Sequence, residues 1–230
     1  MESNRFTVYV IKSVYDKKVE NEFPLREYEK ELQVGAALTD ARICELQDNN
    51  GDNISGQNRQ YCELTGLYWI WKHSIEEYIG ISHYRRRFDI SPEVIKNIDE
   101  ISADVVVTVP VINTAGIGRQ YGLTHSKEDW VILREEVHNH SPQYDNSFVF
   151  VEKQMYFHGY NMFIMKRRVL NEFCEWLFPI LFSCEARIGI KDDPYQNRYL
   201  GFMSERLLNV FLYHNKGRFK IFISGKKYLE

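Results

Sequence analysis

Tyr78-Ile79-Gly80-Ile81-Ser82-His83-Tyr84-Arg85-Arg86-Arg87-Phe88 is the stretch on which the reading of this 230-residue chain turns. An apolar run, Tyr78 to Ile81, leads straight into a histidine, an aromatic and three consecutive arginines, then closes on Phe88. A short apolar run ending in polar residues reads as a buried strand whose last residues emerge at a sheet edge. In open α/β sheets, ligands sit outside the carboxyl ends of the strands. A guanidinium fork placed there matches phosphate oxygens two at a time, so the run points to a multiply charged anion. The competing reading is a solvated charge run after an edge strand, and the local pattern favours neither.

On either side of this stretch, strands alternate with helices. Upstream, Asn58 to His73 carries Tyr61, Leu64, Tyr68 and Trp71 at helical spacing, with Ser55 or Asn58 available as a cap. Trp69 and Trp71 fall on opposite sides of that helix, so at least one belongs to the core. Before it, Asp48 to Ser55 is a turn-rich loop around Asn50-Gly51. A calcium-loop reading fails there, because Asn53 stands where glycine is needed and Arg59 where the closing glutamate would be. Phe6 to Ile11 is a β-branched and aromatic strand; a charged stretch follows to about Glu31, then Val34 to Leu38. Downstream, the patterns predict a short helix over Pro92 to Ile98 and a buried strand over Val105 to Val109. The glycine-bearing segment Asn113 to Thr124 reads as a loop and mobile lid. A helix over Asp129 to His138, a strand over Asn161 to Lys166 and a long helix from about Val169 to Phe182 follow. Pro179 is expected to kink or end that helix. A helix over Leu200 to His214 and a strand over Lys220 to Ser224 complete the chain. The alternation argues for a single α/β domain, a mixed sheet flanked by helices.

Composition narrows the function classes. Net charge is −3 and the pI near 6.2, so no global field draws the chain to nucleic acid, and no RNA-binding signature is present. No GxGxxG follows the first strand, which leaves a dinucleotide enzyme without support. The four cysteines, Cys44, Cys62, Cys174 and Cys184, lack CxxC spacing, so a reducing cytosol is expected. No signal peptide is visible and no apolar run approaches the ~20 residues of a membrane span. The basic C-terminal segment could touch an anionic membrane surface.

Four blocks together resemble one bacterial family. They are Gly51-Asp52-Asn53-Ile54-Ser55 with Tyr61-Cys62-Glu63-Leu64-Thr65; His83-Tyr84-Arg85-Arg86; Tyr160-Asn161-Met162-Phe163-Ile164-Met165-Lys166; and Gly201-Phe202-Met203-Ser204-Glu205-Arg206-Leu207-Leu208. The family occurs in capsule, lipopolysaccharide and exopolysaccharide gene clusters. It was long catalogued as a domain of unknown function, and is associated with glycosyltransferases, including enzymes that transfer galactofuranose from a UDP donor. The likeness covers nearly the whole chain in order. One departure is Ile11-Lys12-Ser13, where the family often shows Thr-His-Lys. The resemblance implies a single-domain, GT-A-like (Rossmann-like) fold over 1–230, with a donor half near 1–110 and an acceptor half near 111–230. It also implies a UDP-sugar donor, a lipid-linked glycan acceptor, and a cytoplasmic enzyme in peripheral contact with the inner face of the membrane.

GT-A enzymes usually end a strand after a helix in Asp-x-Asp, which holds a divalent cation against the leaving diphosphate. In the equivalent place this chain has His83-Tyr84-Arg85-Arg86. Arginines are therefore expected to stabilise the leaving charge with no cofactor required. A Mn or Mg site is the alternative, with Asp89, Asp192 and Asp193 as lesser candidates. Inversion needs a base within reach of the acceptor hydroxyl. Glu205 is the first candidate and His158 the second. Asn53, Ser55, Asn58 and Glu63 are assigned to the donor with the His83–Arg86 block, Tyr84 as a stacking partner. His125, Asn161 and Arg206 are assigned to the acceptor side. Asp104 reads as a cap, and His138 and His140 as surface loop. The alternative function is a non-catalytic nucleotide-sugar or carbohydrate-binding module.

Overall fold

The computed structural model describes residues 5–19, 24–96, 98 and 102–228. Strands β1 (Phe6–Lys12), β2 (Glu29–Gln33), β3 (Leu46–Gln47) and β4 (Tyr78–His83) run parallel in the order β3-β2-β1-β4. The register pairs Phe6 with Tyr78 and Ile11 with His83. β1 is buried on both faces, as parallel strands covered on both sides must be. Tyr9, Ile11, Ile79 and Ile81 feed the larger core; Phe6, Val8 and Tyr78 feed a smaller one on the opposite face. Beyond β4 the direction changes. Strand β9 (Phe163–Lys166) runs antiparallel to both β4 and β6 (Val105–Thr108). Strand β10 (Ile221–Tyr228) lies parallel to β6 and antiparallel to β5 (Arg86–Asp89). One residue pair, His83 with Arg86, joins β4 to β5, so β4, β5, β10, β6 and β9 close a small ring. Gly80 is needed inside this ring: a Cβ there would stand 2.7 Å from Ile164 Cγ1 and 3.2 Å from the Phe163 carbonyl oxygen. Strands β7 (Val111–Ile112) and β8 (Tyr156–Phe157) pair separately.

The mixed α/β architecture agrees with the sequence reading, and four local expectations are corrected. First, Asn58 to His73 is two helices, α1 (Asn58–Tyr61) and α2 (Leu64–His73), broken at Cys62, whose φ is 52°. The apolar spacing continues across the break, because Tyr61 and Leu64 are both core residues. Second, after the short helix α3 (Pro92–Lys96), the segment expected as a lid contains helix α4 (Ile117–Thr124). Its Ile117 and Tyr121, one turn apart, are fully buried, and that burial outweighs the glycines. Third, His138 and His140, expected on a surface loop, lie in the last turn of helix α5 (Lys127–His140), which Ser126 caps and helix α6 (Asp145–Glu152) follows. Fourth, helix α7 (Arg167–Ile188) passes through Pro179. Pro179 and Glu175, whose carbonyl loses its partner, are both exposed, so water can satisfy that group. Strand β2 also precedes Val34 to Leu38, of which Ala36–Leu38 is a 3₁₀ turn. Helix α8 (Tyr199–His214) and β9 fall where their patterns predict. No helix among the described residues is long and apolar enough to cross a membrane.

Alternation along β5 separates the arginine run. Arg86 lines a cleft, whereas Arg87 is buried and makes a two-pronged ion pair with Glu29 of β2. Removing one member of a buried pair strands the other charge. Arg87→Met should therefore lower unfolding free energy by about 3–5 kcal/mol, and adding Glu29→Leu should recover most of the loss. Urea denaturation of the two variants checks this.

Candidate functional site

The chain leaves β1 for β2 and β3 on one side and returns to β4 on the other. The segments that follow β1 and β4 therefore part company and open a crevice, the expected binding position in such sheets. A cleft of about 1330 Å³ lies there. Its walls are Ser13 and Tyr15 to Lys17 after β1, Val34 and Leu38 after β2, and helix α1 with Cys62 and Glu63. The β4–β5 reversal, residues of the 190–198 loop, and Phe202 and Glu205 of α8 complete it.

The reversal block divides its duties. His83 donates from Nε2 to the Tyr160 carbonyl. The Tyr84 hydroxyl accepts from the Lys17 backbone N–H at 3.3 Å. Arg85 sits 5.4 Å from the Tyr84 ring centre and makes no ion pair within 4 Å among the described residues, although its charge acts on Asp16 across the cleft. Arg86 lies 4.3 Å from the Tyr160 ring centre and 5.6 Å from that of Tyr228, and its buried Nε makes no hydrogen bond. The Tyr228 and Tyr160 hydroxyls are 3.2 Å apart. Cations lining the cleft are Lys17, Arg59, Arg85, Arg86, Lys191 and Arg198, against the carboxylates of Asp16, Glu63, Asp192 and Glu205. Lys191 is neutralised by Asp129, and Arg198 directs Nε to Cys62 Sγ at 3.1 Å. The cleft is thus an electropositive site in a chain of net charge −3.

Opposing this charge is a buried carboxyl. Glu205 is only 16% exposed, with Oε2 2.9 Å from Arg206 Nη1. Burial pushes its carboxyl up to about 7; the Glu63 charge adds to the rise, while Arg206, the Tyr160 backbone N–H and Arg86 oppose it. Glu63 accepts a 2.6 Å hydrogen bond from the Asn161 side chain, which also donates to the Gly201 carbonyl at 3.2 Å. The backbone beneath is strained. Cys62, Tyr160 and Asn161 have φ of 52°, 70° and 49°, three of the four non-glycine residues with positive φ among those described. Such strain persists only where the surroundings hold it, and it clusters at working sites.

Other sequence candidates are placed as follows. Asn58 lines the cleft and donates to the Cys62 carbonyl at 2.7 Å and Thr65 Oγ1 at 2.9 Å. Ser55 is buried behind the wall, donating to Asp48 and accepting from the Ala37 N–H. Asn53 closes a local turn onto the Ser55 N–H at 3.1 Å. His125 stacks behind Phe202, with ring centres 4.1 Å apart, and burial pushes its imidazole down to about 4. Arg206 points inward to the Phe202 carbonyl and Gln120 Oε1, both at 3.0 Å. His158 donates Nδ1 to the Thr108 carbonyl at 2.8 Å, away from the cleft lining, and burial lowers its pKa. Asp89 pairs with Lys227 at 3.0 Å, and Asp193 accepts the Tyr195 and Gln196 N–H groups, both at 2.8 Å. Asp192 alone of the three acidic candidates lines the cleft. Among the described residues no group of three or more His, Cys, Asp or Glu side chains could hold a metal ion.

Asp16, Arg59, Cys62, Tyr195, Arg198 and Phe202 also line the cleft, and the sequence gives none of them a role there. Asp16 had one usable signal, its position just after the first strand. Burial raises its pKa, opposed by a 2.7 Å bond from the Ser13 N–H.

The model of a protein family described as "Domain of unknown function (DUF4422)" matches residues 11–216. No curated protein matches the chain in sequence. Among solved structures, the fold is similar to that titled "WbbM bifunctional glycosytransferase apo structure", with a TM-score of 0.86 and 23% sequence identity. The match covers 99% of this chain and 46% of that one, so the chain spans about half its length.

A carboxyl whose folded pKa is raised binds protons more tightly when folded, so its contribution to stability is present at low pH and lost as pH rises through the folded value. The window runs from the ordinary 4.5 to about 7. Across it, the parent should lose about 2–3 kcal/mol relative to Glu205→Gln. Denaturation midpoints at pH 4.5 and pH 8 measure the difference, and parallel profiles would place Glu205 in a solvated setting.

Proposed function

The chain belongs to the DUF4422 family, and from that premise we propose that it is a glycosyltransferase that takes a UDP-sugar donor. One observation carries the reading. Two arginines that make no ion pair within 4 Å among the described residues, Arg85 and Arg86, line the same cleft as a mostly buried carboxyl, Glu205, whose pKa lies near neutrality. The first pair suits a leaving diphosphate and the second a general base. The cleft's position over the carboxyl ends of β1, β2 and β4 supports the GT-A-like reading. The neighbour's title names a glycosyltransferase, and the likeness to it is one of fold.

In the proposed reaction the diphosphate rests against Arg85 and Arg86. The acceptor hydroxyl oxygen attacks the anomeric carbon from the opposite face, and the bond from that carbon to the diphosphate oxygen breaks. The electron pair leaves with UDP, whose growing charge the guanidiniums stabilise. The hydroxyl proton passes to Glu205. A carboxylate with a pKa of about 7 is a stronger base than an ordinary one and is still substantially ionised at neutral pH. Direct displacement of this kind inverts the anomeric centre. Arg86 needs little reorganisation, being held between Tyr160 and Tyr228. Because arginines stand after β4, the proposal needs no divalent cation; of the acidic candidates Asp89 and Asp193 are committed elsewhere, and Asp192 in the cleft is the one left to hold a cation. The family resemblance supplies galactofuranose as leading donor sugar, a lipid-linked surface glycan as acceptor, and a cytoplasmic site at the membrane's inner face.

Calorimetric titration with UDP in excess chelator should give binding, weakened roughly 10- to 100-fold by Arg85→Ala or Arg86→Ala. Binding only with manganese would move the diphosphate onto carboxylates. Binding of UDP without turnover of any UDP-hexose would favour a binding module. If turnover is found, Glu205→Gln should lower kcat at least about 100-fold with UDP affinity kept. The parent's kcat should rise with pH through about 7.

A further inference from the structure

Glu205 belongs to two walls of the cleft. Arg86 of the β4–β5 reversal acts on its charge, and Phe202, one turn earlier on α8, shares its face. The second wall carries chemistry that the diphosphate does not need. Tyr195 is 53% exposed and lines the cleft with the partly exposed Phe202. Their ring centres are 5.2 Å apart and their planes inclined by 46°, which makes an open aromatic corner. His125 braces it from behind, nearly parallel to Phe202 (21°) at 4.1 Å and to Tyr195 (26°) at 5.8 Å. The corner is therefore held by stacking before any ligand arrives. Around it stand an exposed apolar side chain, Ile190, and two polar ones, Arg198 and Asp192. Arg198 lies 5.7 Å from the Phe202 ring centre.

We propose that Tyr195 and Phe202 form the subsite for the acceptor, a hexose residue stacked by its C–H face. This rests on the glycosyltransferase reading. A hexose ring has one face of C–H groups and a rim of hydroxyls. The face packs on aromatic carbon, and the rim requires donors and acceptors such as Arg198 and Asp192. Stacking there would bring a rim hydroxyl toward Glu205, the group proposed to take its proton. A nucleobase could also stack on such rings, but the stacking partner assigned to the donor is Tyr84, beside Arg85.

Saturation-transfer NMR with methyl β-D-galactopyranoside and methyl β-D-galactofuranoside, with and without UDP, tests the subsite. The parent should transfer saturation chiefly to ring C–H protons of one face of at least one glycoside. Tyr195→Ala and Phe202→Leu should weaken binding about three- to tenfold, Tyr195→Phe should preserve it, and UDP affinity should stay unchanged in all three. Absence of saturation transfer in the parent, or equal signals in Tyr195→Ala, would overturn the subsite. A UDP affinity that falls with Tyr195→Ala would reassign the rings to the nucleobase and overturn it as well. Glycoside binding without UDP binding would keep the subsite while removing the donor reading, so the two failures are distinguishable.

Discussion

Strand β9 runs against the strands on either side of it, and the site depends on that reversal. Phe163, its first residue, pairs with Ile81 near the carboxyl end of β4 and with Val107 near that of β6. An antiparallel strand inserted there delivers the residues that precede it to the sheet edge where its neighbours end. Tyr160 and Asn161 therefore arrive beside His83, Arg86 and Glu63 rather than at the far side of the sheet. The approach demands two successive left-handed residues, a conformation costly for side chains with a Cβ. The His83 bond to the Tyr160 carbonyl and the Asn161 bonds to Glu63 and Gly201 hold it in place. Gly80 lets β9 lie close enough for this to happen.

From that junction the electrostatics follow. Alternation along β5 sends Arg86 to the cleft and Arg87 to Glu29, so neighbouring arginines take separate places, one lining the cleft and one locked in the framework. Glu205 keeps a raised pKa although Arg206 adjoins it, because burial outweighs the pairing and the Glu63 charge adds to it. Arg206 is itself shared among the Phe202 carbonyl, Gln120 and the ring of Phe157, which spreads its influence. The result is a carboxyl poised near neutrality in a cleft richer in cations than anions.

Strand β4 and the emergence of its arginines were legible because an apolar run ending in charge has one common structural solution. Glu205 was legible only as a carboxylate near a helix start, and its burial is a property of the packed chain. What stayed hidden was tertiary. Arg87 finds Glu29 58 residues away, and local pattern cannot announce such a partner. The break at Cys62 was masked because the apolar positions on both sides remain in one core. The glycines of 113–124 signalled a loop, while burial of Ile117 and Tyr121 made a helix. Tyr195 and Arg198 reach the cleft from a loop whose composition resembles any other surface turn, and Phe202 stood in the Gly201–Leu208 block with nothing in the local pattern to turn it toward a cleft.

In the proposed glycosyltransferase, Arg85 and Arg86 receive a diphosphate opposite Glu205. A crystal structure of the protein grown with UDP tests it most directly. Density for the two phosphates is expected within hydrogen-bond distance of both guanidiniums, about 2.7–3.2 Å, with the Glu205 carboxyl facing the space beyond the terminal phosphate. Diphosphate density held on Asp16 or Asp192 through a cation, with Arg85 and Arg86 turned away, would contradict it.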